Sequence, residues 1–546
     1  MPSSSEPSPL AAHAARLAGV PLRELIQDPQ RNESLRQRLG PLLLDLSRQS
    51  LDLPALQALG EDLEASGWQA AREAMFSGES INRSEGRPVL HTALRAAGAA
   101  LPSPAPAEVR RDIEQTLQKV ERLVSALHAG EGASCGLPTT VTDVVHIGIG
   151  GSDLGPRLAV HALSRYRRPH TRVHFLTNVD GQTVHDLLAG LDPRRTLVII
   201  ASKSFNTQET LLNANALRDW IARAYDGNAR KLARHFLAVT ARPEAARAWG
   251  VPESHIYPMW DYVSGRTSLW SAVGLVAALA LGMEHFRAML AGAARMDDHF
   301  RSAEWTQNLP VLLALIEHWN RNIKGFAGRA VIAYADLLRD LAPYLQQLEM
   351  ESLGKQVDQN GQPLAGRSGG VVWGGVGTNA QHAYFQALHQ GSDVIPVEFI
   401  ALVRPAHPLH ANHDALLSNV LGQAASLALG RSAAEVQADP ERRPEGLAAE
   451  ALAAQRVLPG NRPSTIILLD ELTPQSLGSL IALYEHKVFV LAHWWGLNAY
   501  DQWGVEPGKA LARQIAAVLD AEATDLEDFD PATRALIQEI QDRREG

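Results

Sequence analysis

The sequence predicts an α/β fold built on two parallel β-sheets, with helical segments before and after them. Short runs rich in β-branched residues alternate with stretches long enough for crossover helices, which is the pattern of a parallel sheet. These runs form two series, separated by a helical stretch at 268–319. At 546 residues the chain is too long for one hydrophobic core, so we expect at least two domains.

Residues 1–123 are expected to form a helical N-terminal segment. Their apolar residues recur with helical periods, punctuated by proline and glycine, and no convincing strand is evident. We expect the first α/β domain at 124–290, the second at 291–509, and a C-terminal helical arm at 510–546.

The strand runs of both series are short and apolar. In the first series they lie at 143–149, 172–177, 196–200 and 234–240, and in the second at 330–334, 370–373, 394–402 and 465–469. Open α/β sheets bind ligands beyond the carboxyl ends of their strands. Residues that directly follow these runs are therefore the first candidates for a functional site.

Composition and charge disfavour several classes of protein. With 45% hydrophobic and 20% charged residues the chain is typical of globular proteins. A formal net charge of −9 argues against a basic surface for nucleic acid or anionic lipid. The most apolar late segment, 488–497, contains a histidine and is shorter than the ~18 residues of a membrane span. We expect neither a nucleic-acid nor a membrane partner.

Cys135 is the only cysteine, so neither an intrachain disulfide nor a thiolate metal cluster can form. Such sparse use of cysteine is typical of a reducing compartment. Residues 1–9 lack the basic start and the apolar stretch of a secretory signal. We therefore expect a cytoplasmic location.

A phosphate-binding cradle is predicted directly after the run at 196–200. Residues 201–210 read ASKSFNTQET, which places three hydroxyls and an ammonium at a strand-to-helix turn; these belong to Ser202, Lys203, Ser204 and Thr207. A helix start adds unpaired amides and the positive end of the helix dipole, so a phosphate dianion could be held without a metal. Ordinary helix capping, the alternative, explains one hydroxyl well but three hydroxyls and a lysine poorly.

A glycine-rich loop, GIGGSDLGP at 148–156, follows the first predicted strand. Closely spaced glycines let backbone amides approach a ligand. The loop is similar to a dinucleotide-binding loop, but its spacing is not G-x-G-x-x-G and no strand-end acidic partner for a ribose is evident. Binding of a sugar or phosphate beside the cradle explains this loop better than binding of NAD.

Two further segments carry charges suited to catalysis. In QQLEMESLGK at 346–355, Glu349 and Glu351 are two positions apart and point to different faces of a helix, so at most one of them faces a ligand. The alternative is two solvated glutamates near a helix end. Arg266, in DYVSGRTS at 261–268, precedes a predicted helix start and can reach a ligand there, with a surface position as the alternative.

The histidines favour a catalytic group over a metal site. His382 and His389 lie seven positions apart on one helical face, about 10.5 Å along the axis, which is too far for one metal ion, so one of them is a catalytic candidate. His407, His410 and His413 suggest a metal, but a proline interrupts them and one acidic residue lies nearby. Loop histidines leading into the next helix explain them better.

The segment YDQWGVEPGK at 500–509 decides which function the candidate sites serve together. Two aromatics, two acids, an amide and a lysine in this order match a signature of the glucose-6-phosphate isomerase family, which the chain resembles over nearly its whole length. The other matches, in the same order, are the glycine loop, the cradle, Ser264-Gly265-Arg266, Met350-Glu351-Ser352 and GTNAQH at 377–382.

The resemblance implies a fold of two sugar-isomerase (SIS)-type three-layer α/β/α sandwiches and a homodimer with shared active sites. It also implies reversible conversion of glucose 6-phosphate to fructose 6-phosphate through ring opening and a cis-enediolate, a reaction of glycolysis and gluconeogenesis. It implies no metal and no other cofactor.

The resemblance implies a role for each matching residue. Glu351 is implied as the base that carries a proton between C1 and C2, His382 and Lys509 as the ring-opening pair, and Arg266 as the partner of the enediolate. The residues implied to bind the sugar phosphate are Gly151, Ser152, Ser202, Lys203, Ser204, Thr207, Gln347 and Gln502. Independently of the resemblance, an enediolate needs a carboxylate base and a fixed positive charge, which Glu351 and Arg266 can supply.

Several positions depart from the usual pattern of the family: Ser204, Asn206, Ser264, Thr267, Leu353, Gly375, Val376, Ala380 and Pro507. None of them removes an implied catalytic group. Leu353 places an apolar side chain two residues after Glu351, so the departures bear on rate and affinity more than on reaction class.

Two other functions stay open from the sequence. One is a broader isomerase that also accepts mannose 6-phosphate, which depends on stereochemistry at C2. The other is a non-catalytic sugar-phosphate sensor. A sensor needs only the cradle, so retention of Glu351, Arg266, His382 and Lys509 argues against it.

Overall fold

Strands and helices alternate along most of the chain, as the sequence predicts. The structure, a computed structural model, describes residues 8–169, 171–438, 449–520 and 526–545. Residues 1–7 of the segment checked for a secretory signal lie outside these ranges. The chain divides into two compact units, Met1–Ala499 and Tyr500–Gly546.

The eight strands predicted from the sequence are confirmed, and the described residues form three further strands. The strands are β1 (Arg36–Leu39), β2 (Leu42–Asp45), β3 (Asp143–Ile147), β4 (Arg172–Leu176), β5 (Thr196–Ala201), β6 (Phe236–Thr240), β7 (Ile256–Pro258), β8 (Gly328–Tyr334), β9 (Val371–Val376), β10 (Val397–Leu402) and β11 (Ser464–Leu469).

The α-helices cover the sheets and form the N- and C-terminal parts of the chain. They are α1 (Pro9–Leu17), α2 (Leu22–Leu25), α3 (Pro29–Ser34), α4 (Leu53–Ala65), α5 (Trp68–Ser77), α6 (His91–Gly98), α7 (Ala107–His128), α8 (Leu154–Ala162), α9 (Gly181–Ala189), α10 (Gln208–Arg223), α11 (Ala229–Ala233), α12 (Pro243–Trp249), α13 (Leu275–Leu281), α14 (Met283–Ser302), α15 (Leu309–His318), α16 (Leu341–Leu345), α17 (Gly377–Ala383), α18 (Phe385–Gln390), α19 (His410–Leu429), α20 (Ala433–Gln437), α21 (Ala449–Arg456), α22 (Pro474–Trp494), α23 (Glu506–Leu519) and α24 (Pro531–Glu545). Two π-helices, Trp319–Ile323 and Gln346–Glu351, follow α15 and α16.

The first sheet has the strand order β4-β3-β5-β6-β7, and all its neighbouring strands are parallel. β5 is buried along its whole length, as expected for a central strand covered by helices on both faces. The chain leaves β3 for β4 on one side and returns to β5 on the other. Such a reversal opens a ligand crevice at the carboxyl ends of β3 and β5.

The second sheet has the order β1-β2-β11-β10-β8-β9. Strands β8 to β11 are parallel to one another, whereas β2 pairs antiparallel with β11 in a register that sets Leu42 opposite Leu469. Helix α19 covers one face through Val420, Ala424 and Leu427, which are fully buried against the sheet.

The expectation that the N-terminal segment contains no strand is wrong, because β1 and β2 form a hairpin there. Gly40, at a φ of 54°, makes the turn with Pro41. β1 reads RQRL and lies at the sheet edge, while β2 reads LLLD without alternation, so neither has the local pattern of a strand. β2 is a strand because it pairs with β11, and β1 is a strand because it pairs with β2. The domain bounds at 123, 290 and 509 stay predictions.

The second compact unit is helical, as expected for the C-terminal arm. Helices α23 and α24 share a small core in which Val518, Phe529 and Ile537 are buried. Across both units, a helix long and apolar enough to cross a membrane is not found among the described residues.

Buried histidines should make the protein unstable to mild acid. Burial lowers the pKa of His146, His299 and His318 to about 4, whereas a histidine of the unfolded chain titrates near 6.5. Between these values the unfolded chain binds more protons, so the stabilisation is complete above about pH 6.5 and is lost as the pH falls towards about 4. For His146, which is fully buried, the shift corresponds to about 3 kcal/mol.

Urea unfolding at pH 7.5 and pH 5 measures this loss. His318→Gln keeps an acceptor for Trp495 Nε1, which donates to His318 Nδ1 at 2.8 Å, and cannot be protonated. This variant should lose less stability between the two pH values than the wild type. Equal stability of the wild type at both pH values would contradict the prediction.

Candidate active site

The predicted cradle lies at the carboxyl end of β5, where α10 begins. Ser202 Oγ and Thr207 Oγ1 are 3.2 Å apart, and the Phe205 amide donates to Ser202 Oγ at 3.1 Å. The φ of Phe205 is 51°, a left-handed conformation that folds the turn tightly. Thr207 occupies the N-cap position, yet its hydroxyl accepts no bond from a helix amide. Helix capping therefore does not account for the Thr207 hydroxyl.

Lys203 ties the cradle to the segment before Arg266. Its Nζ donates to the carbonyl oxygens of Asp261, at 3.1 Å, and Val263, at 2.9 Å. Burial lowers the pKa of Lys203. The ammonium thus contributes positive charge beside the cradle while holding a neighbouring loop. Ser204 donates its hydroxyl to the Asn206 side chain.

The glycine loop lies at the end of β3 and contacts the other site segments through its backbone. A Cβ on Gly151 would lie 2.1 Å from the carbonyl oxygen of Gly265. Ser268 Oγ donates to the Gly151 carbonyl at 3.0 Å. A Cβ on Gly150 would lie 3.0 Å from Gln347 Nε2. The loop thus brings together β3, the 3-10 helix Gly265–Trp270 and the π-helix Gln346–Glu351.

His146 and Asp153 support this loop from within the fold. The His146 ring lies 2.6 Å from the Ser152 carbonyl through Nε2. Asp153 is buried, and burial raises its pKa to about 6 although Arg157 lies 2.9 Å away. His146 thus holds the loop through the Ser152 carbonyl, and Asp153 pairs with Arg157 on the helix that follows the loop.

Arg266 and Glu351 form an ion pair in which Arg266 Nη1 is 3.0 Å from Glu351 Oε2. The side chain of Arg266 is 3% exposed and that of Glu351 is 23% exposed. Arg266 Nη2 also donates to the Ala499 carbonyl at 2.7 Å. The surface alternative for Arg266 is therefore wrong, and the pair sets an accessible carboxylate beside a fixed positive charge.

Glu349 points away from Glu351 into the interior, as the spacing predicts. It is buried and pairs with Arg329 and, at 3.3 Å, with Lys487. The alternative of two solvated glutamates is wrong. The two carboxylates lie on a π-helix, a local widening that is frequent at functional sites.

His382 lies at the end of α17 with its side chain exposed. Within the described ranges the structure gives its imidazole no hydrogen-bond partner. His389 is half-buried, and its Nε2 lies 2.9 Å from Gln423 Oε1. Of the two histidines, His382 is therefore the one available to a ligand.

The three later histidines are not a metal site. Helix α19 begins at His410, earlier than expected, so His410 and His413 are helical. His413 is buried with Nε2 3.1 Å from the Val403 carbonyl. Among the residues that the structure describes, no three His, Cys, Asp or Glu side chains are grouped so that they could hold a metal ion.

Gln502 and Lys509 belong to the second compact unit. Gln502 precedes the 3-10 helix Trp503–Val505, and Lys509 lies in the first turn of α23. Lys509 Nζ is 3.0 Å from Glu506 Oε1, and both side chains are more than half exposed.

The contacts that hold Arg266 in place could not be predicted from the sequence. Its guanidinium is held by the carbonyl of Ala499, and the loop before it is held by Lys203 through two more carbonyls. A backbone carbonyl belongs to every residue type, so no motif could have found these contacts.

Together these features define a doubly wound α/β protein with an anion cradle beside an arginine–glutamate pair, a class suited to phosphorylated small molecules. The phosphoglucose isomerase family model matches residues 45–537. The chain therefore belongs to the phosphoglucose isomerase family, and the predicted fold class of SIS-type α/β sandwiches is confirmed.

Relatives and a solved structure agree over nearly the full length. A glucose-6-phosphate isomerase of Dechloromonas aromatica is 44% identical over 532 residues, 97% of each chain. One of Methylibium petroleiphilum is 46% identical over 548 residues, 97% of this chain and 96% of the relative. The crystal structure of a glucose-6-phosphate isomerase from Chlamydia trachomatis matches with a TM-score of 0.82 at 30% identity, covering 97% of each chain.

Gly151→Ala should damage both stability and activity, because the new Cβ would overlap the backbone of Gly265. We expect a loss of about 1–3 kcal/mol in the free energy of unfolding, typical of overpacking, together with a lower kcat/KM. Gly181→Ala is the matched control, since a Cβ at the first position of α9 meets nothing within 4 Å. Equal behaviour of the two variants in urea unfolding would contradict the close approach.

Proposed function

We propose that this protein catalyses the reversible isomerisation of glucose 6-phosphate and fructose 6-phosphate, as the resemblance implied. The observation that carries the proposal is the Arg266–Glu351 pair, 3.0 Å apart, beside the glycine loop. The glucose-6-phosphate isomerases of similar sequence support the same reaction.

The phosphate binds in the cradle at the start of α10. The hydroxyls of Ser202, Ser204 and Thr207, together with the helix amides, donate to its oxygens, and Lys203 adds positive charge. We assign Gly151, Ser152, Gln347 and Gln502 to binding of the sugar phosphate, as the resemblance implies. The parallel strands support this placement, because β3 and β5 direct the glycine loop and the cradle to one crevice.

The carboxylate of Glu351 moves the proton. It removes the proton from C2 of the open-chain aldehyde, which leaves a cis-enediolate. The hydroxyl proton passes from O2 to O1, and Glu351 returns its proton to C1 to give the ketone. Arg266 stabilises the negative charge that develops on the enediolate oxygens. Because its guanidinium is buried and anchored on Ala499, this charge needs little reorganisation during the reaction.

Ring opening precedes the proton transfer. The ring oxygen must gain a proton while the anomeric hydroxyl loses one, and we assign this work to His382 and Lys509. We further propose a cytoplasmic homodimer, acting in glycolysis and gluconeogenesis, in which His382 of each subunit completes the site of the other. Two observations support this shared active site: His382 is exposed, and its imidazole has no hydrogen-bond partner within the described part of the chain.

The decisive experiment is isomerisation of fructose 6-phosphate by the purified protein, followed with a coupled assay in the presence of EDTA. We expect full turnover. Failure to form glucose 6-phosphate would overturn the proposed function, and mannose 6-phosphate as a second substrate tests for broader specificity.

Glu351→Gln should lower kcat by about 10² to 10⁴, the usual cost of losing a general base, and leave KM nearly unchanged. Ser202→Ala is the contrasting variant, because the phosphate is remote from the reacting carbons and its binding energy is largely uniform along the reaction. Its KM should rise more than its kcat falls. Steady-state kinetics of the two variants measure both effects, and near wild-type turnover of Glu351→Gln would remove Glu351 from its role.

Subunit mixing tests the shared site. His382→Ala and Glu351→Gln should each be nearly inactive, but a mixed dimer contains one site with both defects and one with neither. After subunit exchange we therefore expect up to about half of the wild-type activity per mixed dimer. Persistent inactivity after demonstrated exchange would show that His382 does not complete the partner's site.

A further inference from the structure

Helix α22 is buried along nearly its whole length, including three consecutive ionisable residues. Glu485 is 4% exposed, and His486 and Lys487 are 0% exposed. Buried charges are costly unless they are paired and hydrogen-bonded. The partners of these charges therefore show what α22 holds in place.

Glu485 binds the elements that carry and support Arg266. Trp270, the last residue of the 3-10 helix that contains Arg266, donates its Nε1 to both carboxylate oxygens at 3.0 and 3.1 Å. The Tyr344 hydroxyl lies 3.1 Å from Glu485 Oε1 and 3.3 Å from the Arg266 carbonyl. Arg95 neutralises the carboxylate. Glu485 thus fixes the backbone of Arg266 through two neighbouring side chains.

Lys487 binds the element that carries Glu351. Its Nζ is 3.3 Å from Glu349 on the π-helix, 3.5 Å from Glu317 and 3.7 Å from Glu398. Arg329 completes this cluster through all three carboxylates. Glu349 is two residues from Glu351, so the cluster holds the π-helix from its buried side.

Residues two positions apart on a helix point about 200° from each other. We propose that Glu485 and Lys487 are positioning residues for the isomerisation, acting on Arg266 and Glu351 from opposite faces of α22 and setting their 3.0 Å separation. The inference rests on the proposed function, because it assigns a purpose to the geometry of that site.

Two mild variants, one for the contacts of Glu485 and one for those of Lys487, test the proposal without removing a charge of α22. Tyr344→Phe removes the hydroxyl between Glu485 and the Arg266 carbonyl. Glu349→Gln keeps the shape of the side chain but weakens its ion pairs with Lys487 and Arg329. We expect kcat to fall about 10-fold or more in each, because small misplacements of catalytic groups are costly.

Binding readouts separate positioning from general damage. The inhibition constant of inorganic phosphate should stay within about 3-fold of the wild-type value, because the cradle lies on other elements. A five-carbon sugar-acid phosphate, whose planar carboxylate mimics the enediolate, should bind about 10-fold more weakly, since its affinity depends on the aligned pair.

Ser479→Ala is the matched control on α22. Ser479 is buried and donates to the Gly292 carbonyl at 2.7 Å, away from both catalytic elements. This variant should keep kcat whatever it does to the unfolding temperature. Glu485→Gln and Lys487→Met should show the same losses of kcat if these two variants fold. If they do not fold, Tyr344→Phe and Glu349→Gln decide the outcome.

The outcomes are distinct. If the wild type does not isomerise fructose 6-phosphate, the proposed function fails. If the wild type is active but Tyr344→Phe and Glu349→Gln keep kcat within about 3-fold, the positioning inference is overturned and α22 is structural only.

Discussion

The ion pair between Arg266 and Glu351 is the interaction on which the site depends. Its two members come from different parts of the chain, one from a 3-10 helix that follows the first sheet and one from a π-helix that follows α16. A partly buried pair is strong only when its geometry is good, since desolvation costs must be offset by attraction. The surrounding contacts are arranged to supply that geometry.

Backbone contacts provide one part of the support. A Cβ on Gly151 would overlap the backbone of Gly265, and the carbonyl of Ala499 accepts a bond from Arg266. Lys203 holds the segment before Arg266 through two more carbonyls. The cradle, the glycine loop and the segment of Arg266 are therefore joined by backbone contacts, which suits a site that must align a phosphate and two reacting carbons.

Buried charge provides the other part. Burial raises the pKa of Glu317, but Arg329 and Lys487 outweigh it and hold this pKa below its ordinary range. At His486 the balance is the opposite, because burial lowers its pKa and outweighs the bond to Asp297. Apolar residues of similar volume would often stabilise a core at least as well as such ion pairs. Arg329 and Lys487 make directional bonds to Glu349, and Glu485 accepts directional bonds from Trp270, which gives these charges a role that apolar packing cannot fill.

The sequence by itself determined the alternation of strands and helices, the cradle, the glycine loop and the identity of the family. These features are local: a buried strand such as β5 needs a continuous apolar run, and a helix start needs its hydroxyls within a few positions. The tertiary structure alone decided that β2 joins the second sheet, that Lys203 binds carbonyls, and that Glu349 turns inward while Glu351 meets Arg266. Contacts between segments far apart in the chain depend on packing, and backbone acceptors have no side-chain signature, so local sequence pattern does not encode them.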